Sequence, residues 1–429
     1  PADVLAQRAV EVTPPRANVV ISAMTPSVIG GISVNVTPPR ADVIITAPTP
    51  NITTVSDPVF DQAVGSNQTV SGTAASATIT VAEPSTLFVL MGNNIASTAT
   101  LTLNSVTIQP YAPAVGSSKL YVFSVPAGTH TINSPDGDSW RTIGISSYRN
   151  VAKVSGYASF NATSDAPSVT PTGAGPLAVV GFSGTNVAQP ETTSNGIIRL
   201  KNINSVNAAY SVALTEKDIP PVSLTQTSAS TSAHGLYLLG KRDLSGPFDT
   251  IVTNQATSST NNFDIFTGYN ATVIVYAGGD LTSGATIDGS PMTLIANGPN
   301  NNSAMYIATG VSLGMHRVVV SRNSGSFVTH VASYLGVSSV GAYATNSGSG
   351  ASMISGSPSG SGGLVVAGFN YAASSTDFPN GTSSNGTVRD KYRRVAGNVT
   401  SFVDGSVAPL DFNNPNGSAW SSIAVRLSL

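Results

Sequence analysis

Only a few stretches of this sequence set reactive residue types at spacings that chemistry uses. Gly310-Val311-Ser312-Leu313-Gly314 fits the GxSxG pattern of a serine hydrolase. That pattern works on a strand–turn–helix elbow, which projects the hydroxyl into a site. Here the next residues, MHRVVVS, read as a strand, so a hairpin turn is expected rather than a nucleophile. Gly235 to Lys241 approaches a phosphate-binding loop, but Arg242 stands where a magnesium-binding Ser or Thr belongs. The residues between its glycines are apolar, and a strand is the expectation. There are four histidines, His130, His234, His316 and His330, and no pair has metal-ligand spacing. His130 and His316 recur at one place in a duplication described below, which points to a structural role. Asp136-Gly137-Asp138 offers oxygens for calcium but lacks the further carboxylates of a closed site. The expectation is therefore no catalytic residue, no metal site and no cofactor.

Binding chemistry is better represented. RDKYRR, Arg389 to Arg394, is the one local cluster of positive charge. Tyr392, Arg393 and Arg394, with Tyr371 and Phe378, form a candidate glycan contact. Aromatic faces stack on sugar rings, and cations attract an anionic wall polymer. The competing reading is a solvated loop, or edge-strand charges that prevent aggregation. Trp140 aligns with Phe327, and Tyr210 with Trp420, so these aromatics read as core. Tyr371, Phe378 and Tyr392 fall where the copies differ.

The elements that must position these residues repeat. Gly92 and Gly278, Gly128 and Gly314, His130 and His316, Tyr148 and Tyr334, and Tyr157 and Tyr343 all lie 186 residues apart. GPLAVVGF (Gly175 to Phe182) matches GGLVVAGF (Gly362 to Phe369), and Arg199 matches Arg389. Aligning AAYSVAL near Tyr210 with SAWSSIAV near Trp420 implies an insertion at about 390–415 in the second copy. Both copies are built of short apolar or alternating runs separated by Gly, Pro, Asn and Ser, the pattern of a sandwich or barrel. The expected architecture is all-β: an extended arm over 1–54, then two duplicated, jelly-roll-like β-sandwich domains over 55–230 and 231–429.

The arm carries its own repeat. VTPPRANVVISAMTPSV (Val12 to Val28) and VTPPRADVIITAPTPNI (Val36 to Ile52) share eleven identities at a spacing of 24. Val19 and Ile21, then Val43 and Ile45, alternate as in strands. Pro14-Pro15-Arg16 and Pro38-Pro39-Arg40 interrupt any ladder, because proline has no N–H and a fixed φ. Two short strands are marginal alone, so these ten residues are expected to work as an assembly arm that borrows hydrogen-bond partners from another surface. Over residues 10–52 the arm resembles segments of minor tail proteins of actinobacteriophages, including those infecting mycobacteria. The resemblance implies a virion component near the tail tip that contacts other tail proteins. It also implies a homo-oligomer, with a trimer favoured, and sometimes contact with a host wall glycan. It supplies no catalytic residue.

Composition sets outer bounds. Charged residues are 9% of 429, and Lys and Arg number 19 against 21 Asp and Glu. No basic stripe suggests a nucleic-acid partner. Cysteine is absent, so thiolate sites and disulfides are excluded. No run approaches the roughly 20 apolar residues of a membrane span, and the first residues show no pattern of a signal peptide. A structural tail protein is the leading expectation, and a glycan-binding adhesin the alternative.

Overall fold

The computed structural model describes residues 57–429 except 68–73, 94–99, 135–140, 185–195, 203–210, 219, 226–228, 241–245, 280–281, 300–301, 323–326, 373–380, 394–397 and 414–418. The arm residues Pro14, Pro15, Arg16, Val19, Ile21, Pro38, Pro39, Arg40, Val43 and Ile45 lie outside the described residues, as do Trp140, Tyr210, Phe378, Arg394 and Asp136–Asp138.

The protein is all-β, and two kinds of strand sequence build it. In β2 (Ala75–Val81), Ala75, Ala77, Ile79 and Val81 are buried while Ser76, Thr78 and Thr80 face solvent. That alternation belongs to a sheet with one dry face. β3 (Ser85–Asn93) reads STLFVLMG without a polar alternate, and both of its faces are buried. Leu87, Val89 and Met91 enter one core, and Phe88 and Leu90 enter another.

Four modules result. The first comprises β1 (Val59–Asn67), β2, β3, β4 (Leu101–Leu103), β5 (Val106–Ile108), β6 (Ser118–Val125), β7 (Gly128–Ser134) and β8 (Arg141–Arg149). Its sheets, β1-β8-β3-β6 and β2-β7-β4-β5, have the eight-stranded jelly-roll order. The second comprises β9 (Lys153–Ser164), β10 (Ser168–Val169), β11 (Leu177–Gly184), β12 (Ile197–Asn202), β13 (Ser211–Lys217), β14 (Val222–Ser223) and β15 (Ala229–Leu239), ordered β12-β13-β11-β15-β9 and β10-β14. The third comprises β16 (Phe248–Ala256), β17 (Thr260–Thr267), β18 (Ala271–Gly278), β19 (Thr282–Ile287), β20 (Ser290–Pro291), β21 (Thr293–Asn297), β22 (Ser303–Val311), β23 (Gly314–Arg322) and β24 (Phe327–Tyr334), ordered β16-β24-β18-β22-β21 and β17-β23-β19-β20. The fourth comprises β25 (Ser339–Ser349), β26 (Ser352–Ile354), β27 (Leu364–Ala372), β28 (Thr387–Arg393), β29 (Asn398–Gly405), β30 (Asp411–Asn413) and β31 (Ala419–Ser428), ordered β25-β31-β27-β29-β28 and β26-β30. In each module the first strand pairs with the last, the last with the third, and the second with the next to last. The 186-residue spacing is thus a doubling of a shorter unit whose starts fall at residues 59, 153, 248 and 339.

This corrects the expected domains. A boundary at 230/231 would cut β15, which lies between β9 and β11 in one continuous ladder. The copies are module pairs over 59–239 and 248–428. The expected insertion at 390–415 is absent from the alignment that the ladders impose. Val179 pairs with Glu216 as Val366 pairs with Asp404, so β28 and β29 answer β12 and β13. Trp420 sits on β31, the counterpart of β15 rather than of the segment at Tyr210.

Within each pair the larger sheets pack face to face. Phe88, Leu90 and Val122 meet Val179, Leu214 and Leu236, and Tyr276, Met305 and Tyr334 meet Val366, Phe402 and Val425. Burying one such side chain is worth about 1.5–3 kcal/mol. The approach is close enough to require glycine at the centre. A Cβ on Gly181 would lie 2.9 Å from the Leu90 side chain, and one on Gly368 would collide with the Tyr276 ring.

The pairs are joined directly. Leu313, in the β22–β23 turn, is buried in the core of the first pair. Its carbonyl accepts from the Ser124 N–H at 2.7 Å, and its N–H donates to Ser124 Oγ at 3.1 Å. The Tyr269 N–H donates to Ala152 O at 2.7 Å. Tyr111 and Phe266 meet edge to face at 4.6 Å. Lys153 Nζ reaches Asp249 Oδ1 at 2.8 Å, beneath almost complete cover of that carboxylate.

Candidate functional site

The densest chemistry lies between the paired sheets and occurs twice. In the first pair, Arg199 from β12 forms an ion pair with Glu216 from β13. Its guanidinium lies 4.0 Å over the ring of Phe60 from β1, which meets Tyr148 from β8 edge to face at 5.8 Å. In the second pair, Arg389 Nε donates to both Asp404 oxygens, at 2.9 and 2.8 Å. It stacks 4.1 Å from Phe248, which meets Tyr334 at 5.8 Å. The Tyr334 hydroxyl donates to Asp404 Oδ2 at 3.1 Å. Burial first, then the Asp404 charge, pushes this phenol well above its usual range. Each acid is committed to a cation, and each cation to a ring. The arrangement bolts one module's sheet to the other's.

Beside the second bolt lies an array with no parallel in the first pair. His330 Nδ1 is 2.8 Å from Thr253 Oγ1 and 3.4 Å from Asp390 Oδ2, and Nε2 is 2.7 Å from Thr400 Oγ1. Burial opposes ionisation of Asp390. Bonds from His330 and Thr253, the His330 charge and the Lys391 N–H outweigh it and hold the carboxyl below its ordinary range. Carboxylate, imidazole and hydroxyl follow one another as in an acyl-transfer triad, but His330 is 0% and Thr400 1% exposed. Nucleophilic attack needs an open face at the hydroxyl, and this one points into packed protein. The ladders align His330 with Gly144, Thr253 with Gly65, Asp390 with Leu200 and Thr400 with Val212. A Cβ on Gly144 would touch the side chains of Val212, Leu200 and Leu214. The same volume is filled with polar groups in one pair and aliphatic groups in the other.

The first pair has its own buried histidine. His234 Nδ1 is 2.8 Å from the Tyr157 hydroxyl, and Nε2 is 3.0 Å from Ser118 Oγ. Burial lowers its pKa to about 4, against a smaller raising effect of the Ser118 carbonyl. Its counterpart is Ile423, since Gly181 faces His234 and Gly368 faces Ile423.

His130 and His316 brace equivalent turns. Nε2 lies 2.8 Å from Pro126 O in one and from Ser312 O in the other. Nδ1 meets Asn104 Nδ2 at 3.4 Å and Asp288 Oδ2 at 2.6 Å. Asn104 and Asp288 both adopt left-handed backbone, at φ 47° and 49°. The GxSxG stretch is a turn that crosses between sheets rather than the expected hairpin, since β22 pairs with β18 and β21 and β23 with β17 and β19. Ser312 O there also accepts from Thr267 Oγ1 at 2.7 Å. Gly235–Leu239 belongs to β15.

Of the proposed glycan residues, Tyr371 and Tyr392 have described side chains. Tyr371 is 3% exposed and packs 5.8 Å from the Phe412 ring, which corrects the reading of it as a sugar platform. Tyr392 is half-buried on β28, opposite Thr400, where it takes the place of Asn202. Arg393 ends that strand. β28 is a sheet edge carrying Arg389, Asp390 and Lys391, in keeping with the edge-charge reading. Phe378 and Arg394 lie outside the described residues.

The bolts escaped the sequence reading, although Arg199 and Arg389 recur beside Tyr148 and Tyr334 in a chain poor in charge, which was signal enough. Among the described residues no three His, Asp or Glu side chains converge as metal ligands. An open cleft of about 470 Å³ in the third module is lined by Ser283, Thr286, Met292, Leu294, Asn297 and Tyr306, among others, with no charged group. The chain matches no protein-family model, no curated protein and no solved structure.

Proposed function

We propose that this chain is a structural virion protein, a minor tail or tail-tip component of a bacteriophage. It attaches through its N-terminal arm and presents four welded β modules. The observation that carries this reading is the use made of its ionisable groups. Arg199, Glu216, Arg389, Asp404, Lys153 and Asp249 each fasten one sheet or module to the next. Modules so cross-braced resist being pulled apart. The arm's likeness to tail-protein segments supplies the setting, a homo-oligomer, trimeric by preference, among other tail proteins. Deleting residues 1–52 and probing virions with antibody tests it. The account expects folded protein absent from particles, and normal incorporation at the tail would refute the arm's role.

A second reading, adhesion to a host surface glycan, draws on the cleft of the third module. Hydroxyls, one amide and apolar carbon without charge suit a neutral sugar, and jelly rolls serve lectins as well as capsids. Titration of the full chain with wall glycans, wild type against Asn297→Ala, separates the readings. Unchanged or absent binding leaves only the structural one.

A further inference from the structure

Sheet edges in this molecule are mostly guarded by charge. β1 carries Asp61, β12 carries Arg199 and Lys201, β16 carries Asp249, and β28 carries Arg389, Asp390 and Lys391. Such residues deter pairing with foreign strands. β25 is different. It is an edge strand of 11 residues, SVGAYATNSGS, with no charge and no proline. Among the described residues it is the longest charge-free strand at a sheet edge. Tyr343 on it is 56% exposed. Its counterpart in the first pair, Tyr157, is held by His234, and Ile423 offers no such partner. The Ser347 N–H donates to the Asn346 side chain at 2.9 Å rather than to β31. Antiparallel alternation then turns the N–H groups of Tyr343 and Thr345 outward as well.

We infer that this edge receives a strand from the arm of a second copy of the chain. This inference rests on reading residues 1–54 as an assembly element. Residues 41–47, ADVIITA, run seven positions without proline between Pro39 and Pro48 and alternate Val43, Ile45 and Ala47. Residues 17–25 repeat the pattern. Tyr343–Ser349 is a run of the same length whose only ladder partner among the described residues is β31, with Ile354 and Gly356 lying against Asn346 and Ala344. The prolines limit pairing to this span, and each arm segment needs partners for its N–H and C=O groups. Strand addition supplies them to both sides.

A photo-cross-linking residue at position 345 of the full chain, in a mixture of light and heavy isotope-labelled protein, tests this. Cross-links joining position 345 to residues 17–25 or 41–47 of the other isotope support it. Cross-links to 343–349 of another copy, links within one chain only, or none in an oligomeric sample overturn it. Thr345→Pro removes one outward donor while leaving the β31 ladder intact. It should weaken self-association about tenfold or more without altering unfolding, and unchanged association overturns the inference. Both measurements use purified protein. A chain that cross-links as expected yet is missing from virions therefore keeps this inference and loses the tail assignment.

Discussion

The two module pairs solve one packing problem with different chemistry. Both keep the Arg–carboxylate–Phe–Tyr bolt and the central glycine. Around these, the first pair sets Leu200 and Val212 against Gly144, and the second sets Asp390 and Thr400 against His330. At the other end the roles reverse, with His234 in the first pair and Ile423 in the second. The layer between the sheets therefore demands filled volume, and accepts either polar or aliphatic filling. What it does not exchange is the buried ion pair, because removing one partner strands the other.

That comparison is most readily broken at the bolts. Arg389→Met should cost about 3–5 kcal/mol in urea unfolding, because Asp404 is left buried without its cation. Arg199→Met should cost less, because the Glu216 side chain keeps somewhat more solvent, 7% against 2%. The reverse order would show that the two bolts are not equivalent.

The histidines give the next effect. His234 titrates near pH 4 in the fold and near 6.5 when unfolded. The unfolded chain therefore takes up the proton first. Stability from this group is whole above pH 6.5, declines as pH falls toward 4, and is level below that. The total loss is roughly 3 kcal/mol. His234→Ile, which copies the second pair, should remove this part of the pH dependence of the unfolding midpoint. An unchanged profile would assign it elsewhere.

Gly368→Ala should cost about 2–3 kcal/mol, and Gly181→Ala about 1, in the same assay. The first meets the rigid Tyr276 ring and the second the movable end of Leu90. An effect of similar size concerns the polar array. Asp390→Leu alone should cost about 1–2 kcal/mol by leaving His330 and Thr253 without their acceptor. Adding His330→Gly, Thr253→Gly and Thr400→Val, which completes the first pair's set, should recover part of that loss. Strict additivity would mean that the array is not a unit.

Much of this fold was legible. The strand runs, the sandwich pattern and the 186-residue spacing could be read directly, and so could the structural role of His130 and His316. The half-length repeat could not. The second and fourth modules oppose their large sheets with only β10-β14 and β26-β30, so they share little patterning with the first and third. The insertion was inferred wrongly because SAWSSIAV resembles AAYSVAL in residue types, whereas only the ladder distinguishes β31 from β29. A usable signal was overlooked. LFVLM, LYVF and LAVV lack alternation, and strands of that kind are buried on both faces, which already implied stacked sheets. Of the aromatics that differ between copies, Tyr371 is core. Tyr371 differs from its counterpart because Phe412 is there to receive it.

Cutting the chain tests the central claim, that welded module pairs are the structural unit, most directly. Residues 57–240 keep β15, the strand between β9 and β11, and residues 57–230 lose all but its first two positions. Urea unfolding of the two fragments should show a single cooperative transition for 57–240 and none for 57–230. Equal stability of the two would contradict the pairing described here.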